Sequence, residues 1–260
     1  MNLTHALYEV RDRVAVITLN QPEKRNPLSN AMLHDLTAAF GEAKRDDEVR
    51  AVILTGAGDK AFCAGADLSG FGGELSEVQK HLGRGGFVEL FLTMEKLGKP
   101  IIGCVNGHAL AGGFGLALAC DMIVAADTAT FGTTEINVGL WPMMIMAIIN
   151  RQLAPKRCME LFMTGKRISA DQAMEWGLVN SVVPLDSVRE EAFRLALTLT
   201  GKSPLIMKLG RDAFHAVDQL SFESALRHLQ SQLTLVTLTE DSVEGVTAFL
   251  EKREANFKGR

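Results

Sequence analysis

The stretch Ile101–Cys120 constrains this chain more than any other: it carries no Asp, Glu, Lys or Arg, yet it holds five glycines. Its length is that of a membrane-spanning helix. Asn106, His108 and the turn signal Asn106-Gly107 argue instead for a buried strand, a tight loop and a buried helix in succession. A strand that runs straight into a buried helix belongs to a layered α/β core. Shorter apolar runs, Ala51–Leu54 and Met122–Ala126, read as further buried strands. With 260 residues, 47% of them hydrophobic, the chain can bury a full core as one domain.

Around this centre, Leu7–Val10 and Val14–Leu19 flank Arg11-Asp12-Arg13 and predict a hairpin. Asn30 is expected to cap a helix whose apolar face is Met32, Leu33, Leu36, Ala39 and Phe40. Glu77–Leu97 reads as a helix interrupted near Gly83–Gly86, and Phe114–Cys120 as another. Beyond about Lys156 the pattern is mainly helical. Phe222, Leu226, Leu229 and Leu233 share one helical face, which could pack on the core or on a neighbouring subunit, and Ser242–Arg260 forms a charged helix and tail.

Composition excludes several function classes. A net charge of −4 without a basic, aromatic-interleaved run argues against nucleic acid as the partner. The widely spaced Cys63, Cys104, Cys120 and Cys158 include no CxxC pair, so free thiols are expected and a metal site is not. The opening MNLTHALYEVRDRV lacks the apolar core of a signal peptide, so a cytoplasmic protein without a membrane segment is expected.

Three segments carry chemistry. Ala61–Leu68 is a loop of small residues whose backbone amides stand unobstructed; it can receive a ligand or simply connect a strand to a helix. In Val105–Leu116 a glycine-rich turn opens a buried helix, and the unsatisfied amides there can stabilise an oxyanion or bind phosphate. Neither GK[ST] nor GxGxxG is present, which argues against nucleotide binding of those kinds. In Phe131–Pro142, Glu135 stands among apolar neighbours, where desolvation raises a carboxylate's pKa and suits it to proton transfer. Alternatively it caps the helix expected near Pro142 or lies on the surface.

Together "FCAGADL", "VNGHALAGGFGLALACD" and "ATFGTTEINVGL" resemble the crotonase (enoyl-CoA hydratase/isomerase) family in order and spacing. "PEKRNPLS", "TGKRISADQAMEWGLVNSVVP" and "GVTAFLEKREANFKGR" extend the resemblance over essentially the whole chain. The resemblance implies a spiral of ββα units over residues 1–200 for acyl-CoA binding and catalysis, then a helical trimerisation region over 201–260. It also implies a homotrimer or a hexamer built as a dimer of trimers.

By the same resemblance, the amides of Ala66 and Gly112 hold the thioester oxygen as an enolate develops. Losing one such donor raises a barrier by about 3–4 kcal/mol. Family hydratases carry two glutamates; one falls on Glu135 and the other on Gly115, which has no side chain. Hydration would then fall to Glu135 alone, or to Glu135 with a water in the space over Gly115. Shifting a double bond needs only one carboxylate, so isomerisation of an unsaturated acyl-CoA fits better. A catalytically weak acyl-CoA-binding or scaffolding subunit is the alternative from another class.

For coenzyme A, a part of the substrate rather than a cofactor, the resemblance points to Lys24 and Arg25, to Ala64, Asp67 and Leu68, and to Phe257 and Lys258 reaching in from a neighbouring subunit. No separate cofactor is expected. Trp141, Met143 and Met144 either line the acyl pocket or pack a core. His108 reads as a turn or core histidine, since no carboxylate, Ser or Cys partner is evident by spacing.

Overall fold

The computed structural model describes residues 2–68 and 76–260. β1 (Ala6–Arg11) and β2 (Val14–Leu19) form the expected antiparallel hairpin. Its turn residues Asp12 and Arg13 have φ of 50° and 65°, the left-handed pair whose twist matches that of the strands. α1 (Asn30–Arg45) is capped by Ser29 and not by Asn30: Ser29 keeps the extended backbone a cap needs, and its hydroxyl accepts the Met32 amide at 3.2 Å. Asn30 already lies in the first turn.

Next come β3 (Ala51–Gly56), β4 (Ala61–Cys63) and α2 (Glu77–Glu95). α2 runs unbroken through Gly83–Gly86, contrary to the expected interruption. A methyl group built on Gly86 would lie 3.2 Å from Leu33 Cδ1, and one on Gly83 would lie 3.4 Å from Asn30 Nδ2. These glycines let α2 pack closely on α1, and that packing outweighs their poor helix propensity.

The chain continues through β5 (Ile101–Val105), β6 (His108–Leu110), α3 (Gly112–Leu118), β7 (Met122–Ala126), β8 (Thr130–Gly132) and α4 (Met143–Ile149). α3 begins two residues before the expected Phe114. Three times a strand of one sheet is followed by a strand of the other: β3 by β4, β5 by β6, β7 by β8. α2, α3 and, after a short 3-10 turn, α4 come next, so the chain winds as a spiral of ββα units. The larger sheet has the order β1-β2-β3-β5-β7-β10 and the smaller β4-β6-β8-β9. β3 and β5 are buried at every residue, as parallel strands covered on both faces must be.

The last third comprises α5 (Pro155–Thr164), β9 (Ile168–Ser169), α6 (Ala170–Glu175), β10 (Ser181–Val183), α7 (Val188–Thr200), α8 (Pro204–Val217), α9 (Phe222–Thr237) and α10 (Glu240–Glu251). It is mainly helical, but β9 and β10 each extend a sheet. α7 lays Val188, Ala192 and Ala196 on the larger sheet. Buried Arg211 ties α8 to the core: Nε donates to both Asp121 oxygens at 3.0 Å, Nη2 to Met94 O at 2.9 Å, and Nη1 to Glu95 O. Asp121 also accepts the Ile101 amide at 2.7 Å. Among the described residues, no helix is long and apolar enough to cross a membrane. The four cysteines are free and buried.

Candidate active site

Three neighbouring strands of the smaller sheet, the mutually parallel β4, β6 and β8, deliver the three segments singled out in the sequence. Their carboxyl ends release the Ala64–Ala66 loop, the start of α3 and the 3-10 turn Thr134–Val138 that carries Glu135. In parallel sheets ligands gather at this edge.

The first segment is zipped to the basic loop. Ala64 N donates to Arg25 O at 3.0 Å, Leu28 N to Gly65 O at 2.8 Å, and Asp67 N to Leu28 O at 3.2 Å. Asn26, fully buried, holds the loop from beneath: Nδ2 donates to Ala57 O and Ala61 O, and Oδ1 accepts the Gln21 amide at 2.9 Å. Arg25 and Asn26 reach this geometry with φ of 62° and 53°. Arg25, Ala64, Asp67 and Leu68 thus come together, with exposed Lys24 beside them. Sequence reasoning passed over Asn26; an Asn before Pro27 in a turn-rich run was its only signal.

The second segment meets the first across Gly65. That residue has φ of 101°, and a side chain there would strike Ala111 Cβ and approach Gly112 N. The Ala66 amide lies 3.6 Å from where a Gly112 Cβ would stand. Neither the Ala66 nor the Gly112 amide donates to any described residue. Two free donors therefore sit side by side at the opening of α3. Ala111, at φ 50° and ψ −126°, holds a conformation that favours glycine and turns the chain into the helix. Phe87 and Leu28 wall the position, at 3.2 and 3.4 Å from a Gly112 Cβ.

The third segment is tied to the second by Ala111 N, which donates to Gly132 O at 2.8 Å. Glu135 is half-buried, and its Oε2 is buried without a hydrogen-bond partner among the described residues. Burial pushes its carboxyl above the usual carboxylate value, and a bond from its own amide offsets only part of this. Glu135 is not a helix cap: α4 starts after Pro142 with no side-chain cap. The Thr133 hydroxyl, on the same segment, is also buried without a partner.

Over Gly115 there is no space for water. A methyl group on Gly115 would lie 2.1 Å from Ile145 Cγ2 and 2.5 Å from Ile145 Cβ. Ile145, on α4 and 3% exposed, fills the volume that the sequence left open to a bound water. Its neighbours were singled out in its place. Trp141 stacks edge-on against Phe162 at 6.0 Å, Met144 packs against the core, and Met143 is exposed. Apolar periodicity alone did not distinguish Ile145 from them.

The remaining expected residues lie apart. Phe257 packs on Gly245, 3.3 Å from where a Cβ would stand. The Lys258 and Gly259 amides donate to Asp241 at 2.7 and 2.8 Å, so the tail is docked on α10 of its own chain. Burial raises the Asp241 pKa, but these bonds and one from Ser203 outweigh it and hold the carboxyl low. His108 Nδ1 lies 2.9 Å from the Thr130 hydroxyl, and its pKa is lowered by burial, then by the charges of Arg167 and Arg25. A cavity of about 1220 Å³ lies between α2, α3, α4 and α8, and none of Ala66, Gly112 and Glu135 lines it. Among the described residues, no cluster of His, Cys, Asp and Glu is placed to hold a metal.

The family model for enoyl-CoA hydratase/isomerase matches residues 9–260. The chain is 35% identical to a short-chain-enoyl-CoA hydratase of Clostridium acetobutylicum, covering 100% of both chains. It is 35% identical to a carnitinyl-CoA dehydratase of Proteus mirabilis, covering 96% of this chain and 97% of the relative. A solved enoyl-CoA hydratase from Bacillus anthracis superposes with a TM-score of 0.93 at 35% identity, over 99% of this chain and 100% of that one. With the paired amides and buried carboxylate at one sheet edge, these matches place the chain in the crotonase family of enoyl-CoA hydratase/isomerase enzymes.

Proposed function

We propose that the protein acts on unsaturated acyl thioesters of coenzyme A and moves their double bond, with Glu135 as the one acid/base group. The observation that carries this reading is the buried Glu135 Oε2, without a partner among the described residues, on the 3-10 turn after β8 at the same sheet edge as two amides that donate to no described residue. Glu135 takes a proton from C2 of a 3-enoyl thioester. The electrons move to the thioester oxygen, which accepts from the Ala66 and Gly112 amides. Return of the proton at C4 leaves a 2-enoyl thioester, and no atom is gained or lost. Held above the ordinary carboxylate value by burial, the carboxyl is better matched to the return step than an exposed glutamate.

Arg25 and Lys24 face the coenzyme's phosphates, with Ala64, Asp67 and Leu68 as the adenine side of the site. Trp141, Met143 and Met144 flank the acyl group. Phe257 and Lys258 serve a neighbouring subunit's coenzyme. The division into a catalytic core over 1–200 and an assembly region over 201–260 follows, and the exposed Phe222, Leu226 and Leu233 on α9 support a homotrimer or a pair of trimers. The reaction calls for no cofactor beyond the coenzyme A carried by the substrate. Hydration of 2-enoyl-CoA by Glu135 alone is the second reading, favoured by the hydratase and dehydratase names of the relatives. Glu135→Ala is expected to lower turnover of 3-enoyl-CoA by roughly 100-fold or more while coenzyme A still binds by calorimetry. Full turnover in that variant overturns the role of Glu135.

A further inference from the structure

We propose that Ile145 is a specificity-determining residue: its side chain closes the volume over Gly115 against water, so that protons return to carbon and water does not add. This rests on the reading of Glu135 as the acid/base group. Hydration needs a water molecule held near C3 while a proton is supplied at C2. Gly115 lies about one helical turn along α3 from the Gly112 amide, so the volume over it is a place from which a polar side chain or an ordered water could do the holding. Here the β-carbon position of residue 115 would lie within 2.1 Å of Ile145 Cγ2 and 2.5 Å of Ile145 Cβ. Those distances are far inside contact, so α4 and α3 meet through a glycine and an isoleucine with nothing between them.

An aliphatic wall offers no hydrogen bond, and a site for water needs two to four polar partners. The neighbours reinforce this. Every residue of α3 is buried, from Gly112 to Leu118. Ile145 and Ile149 form the buried side of α4. The Glu135 Oε2 is likewise buried without a hydrogen-bond partner among the described residues, and dry surroundings favour return of the proton it takes to the same molecule. The two residues also interlock: a glutamate at position 115 requires a smaller residue at 145 before it can fit.

The test offers 3-enoyl-CoA and 2-enoyl-CoA to the full-length enzyme in oxygen-18 water, with products identified by mass. Variants are Ile145→Ala, Ile145→Leu and the pair Gly115→Glu/Ile145→Gly, each checked by circular dichroism and thermal melting. The wild type is expected to shift the double bond with little labelled 3-hydroxyacyl product. Ile145→Ala should raise the ratio of labelled hydroxyacyl to shifted product about tenfold, and the paired variant roughly 100-fold, the size of one added acid/base group. Ile145→Leu, which removes the Cγ2 branch over Gly115 while keeping the side-chain volume, carries the test with a several-fold rise if Ile145→Ala fails to fold. An unchanged ratio in the folded Ile145 variants overturns the role of Ile145 and leaves Glu135 in place. A wild type that hydrates as its main reaction overturns the water exclusion, and one that converts neither thioester overturns the proposed function itself.

Discussion

Glu135 keeps a carboxyl oxygen buried with no donor among the described residues, and folding must bear that desolvation. Its pKa lies above the ordinary 4.5 because burial penalises the charged form. A group whose folded pKa is raised favours the fold below its unfolded pKa, and that contribution is lost as pH rises through the folded value. Glu135→Gln removes the penalty. It should melt higher than the wild type at neutral pH, and the difference should vanish as pH falls below 4.5. In the wild type the same shift moves the acid limb of kcat/KM above 4.5, because the base must be ionised to take a proton. Differential scanning calorimetry and a pH–rate profile read the two effects. A limb at the ordinary carboxylate value would mean that Glu135 is solvated. The raised carboxyl was expected from the largely apolar run Phe131–Pro142 around Glu135 in the sequence. Ile145 was not, because its contact with Gly115 joins two helices distant in the chain.

At the scale of elements, the C-terminal helices depend on Arg211. Its side chain is 7% exposed, whereas its partner Asp121 keeps 23% exposure, so the guanidinium is buried and the carboxylate still meets water. Arg211→Met leaves Asp121 without its cation and removes a donor from the Glu95 and Met94 carbonyls, of which Met94 O keeps the Leu97 amide at 3.3 Å. A loss of about 1–3 kcal/mol in urea unfolding is expected, and the pair Arg211→Met/Asp121→Asn should recover part of it. Apolar runs such as Ala51–Leu54 and Ile101–Val105 were readable as strands because a covered parallel sheet leaves no polar alternation to find. Boundaries were harder. Ser29 and Asn30 are both good caps, and only the backbone, extended at Ser29, separates them. The unbroken α2 was illegible for a different reason: glycines lower helix propensity locally, whereas their benefit arises against α1.

For the whole molecule, the apolar surface is concentrated on the last helices. Phe222 and Phe249 are each 81% exposed, and Leu226, Leu233 and Leu250 lie on the same α9 and α10 pair. Patches of this kind mark contact with another protein surface. Leu226→Glu/Leu233→Glu should lower the solution mass by light scattering from an oligomer toward a monomer, with the core still folded by circular dichroism. An unchanged mass would show that assembly uses another face. The sequence displayed the α9 stripe but not its destination, because helical periodicity is the same whether the stripe meets the core or a second chain. The contact between Gly115 and Ile145 has a consequence for descent within the family. A lineage moving from an aliphatic to an acidic occupant of this site must change position 145 first and position 115 second, and one moving the other way must change 115 first, since either opposite order passes through an overfilled core. Ancestral reconstruction should therefore find small residues at 145 alongside Gly115, and not a glutamate at 115 alongside isoleucine.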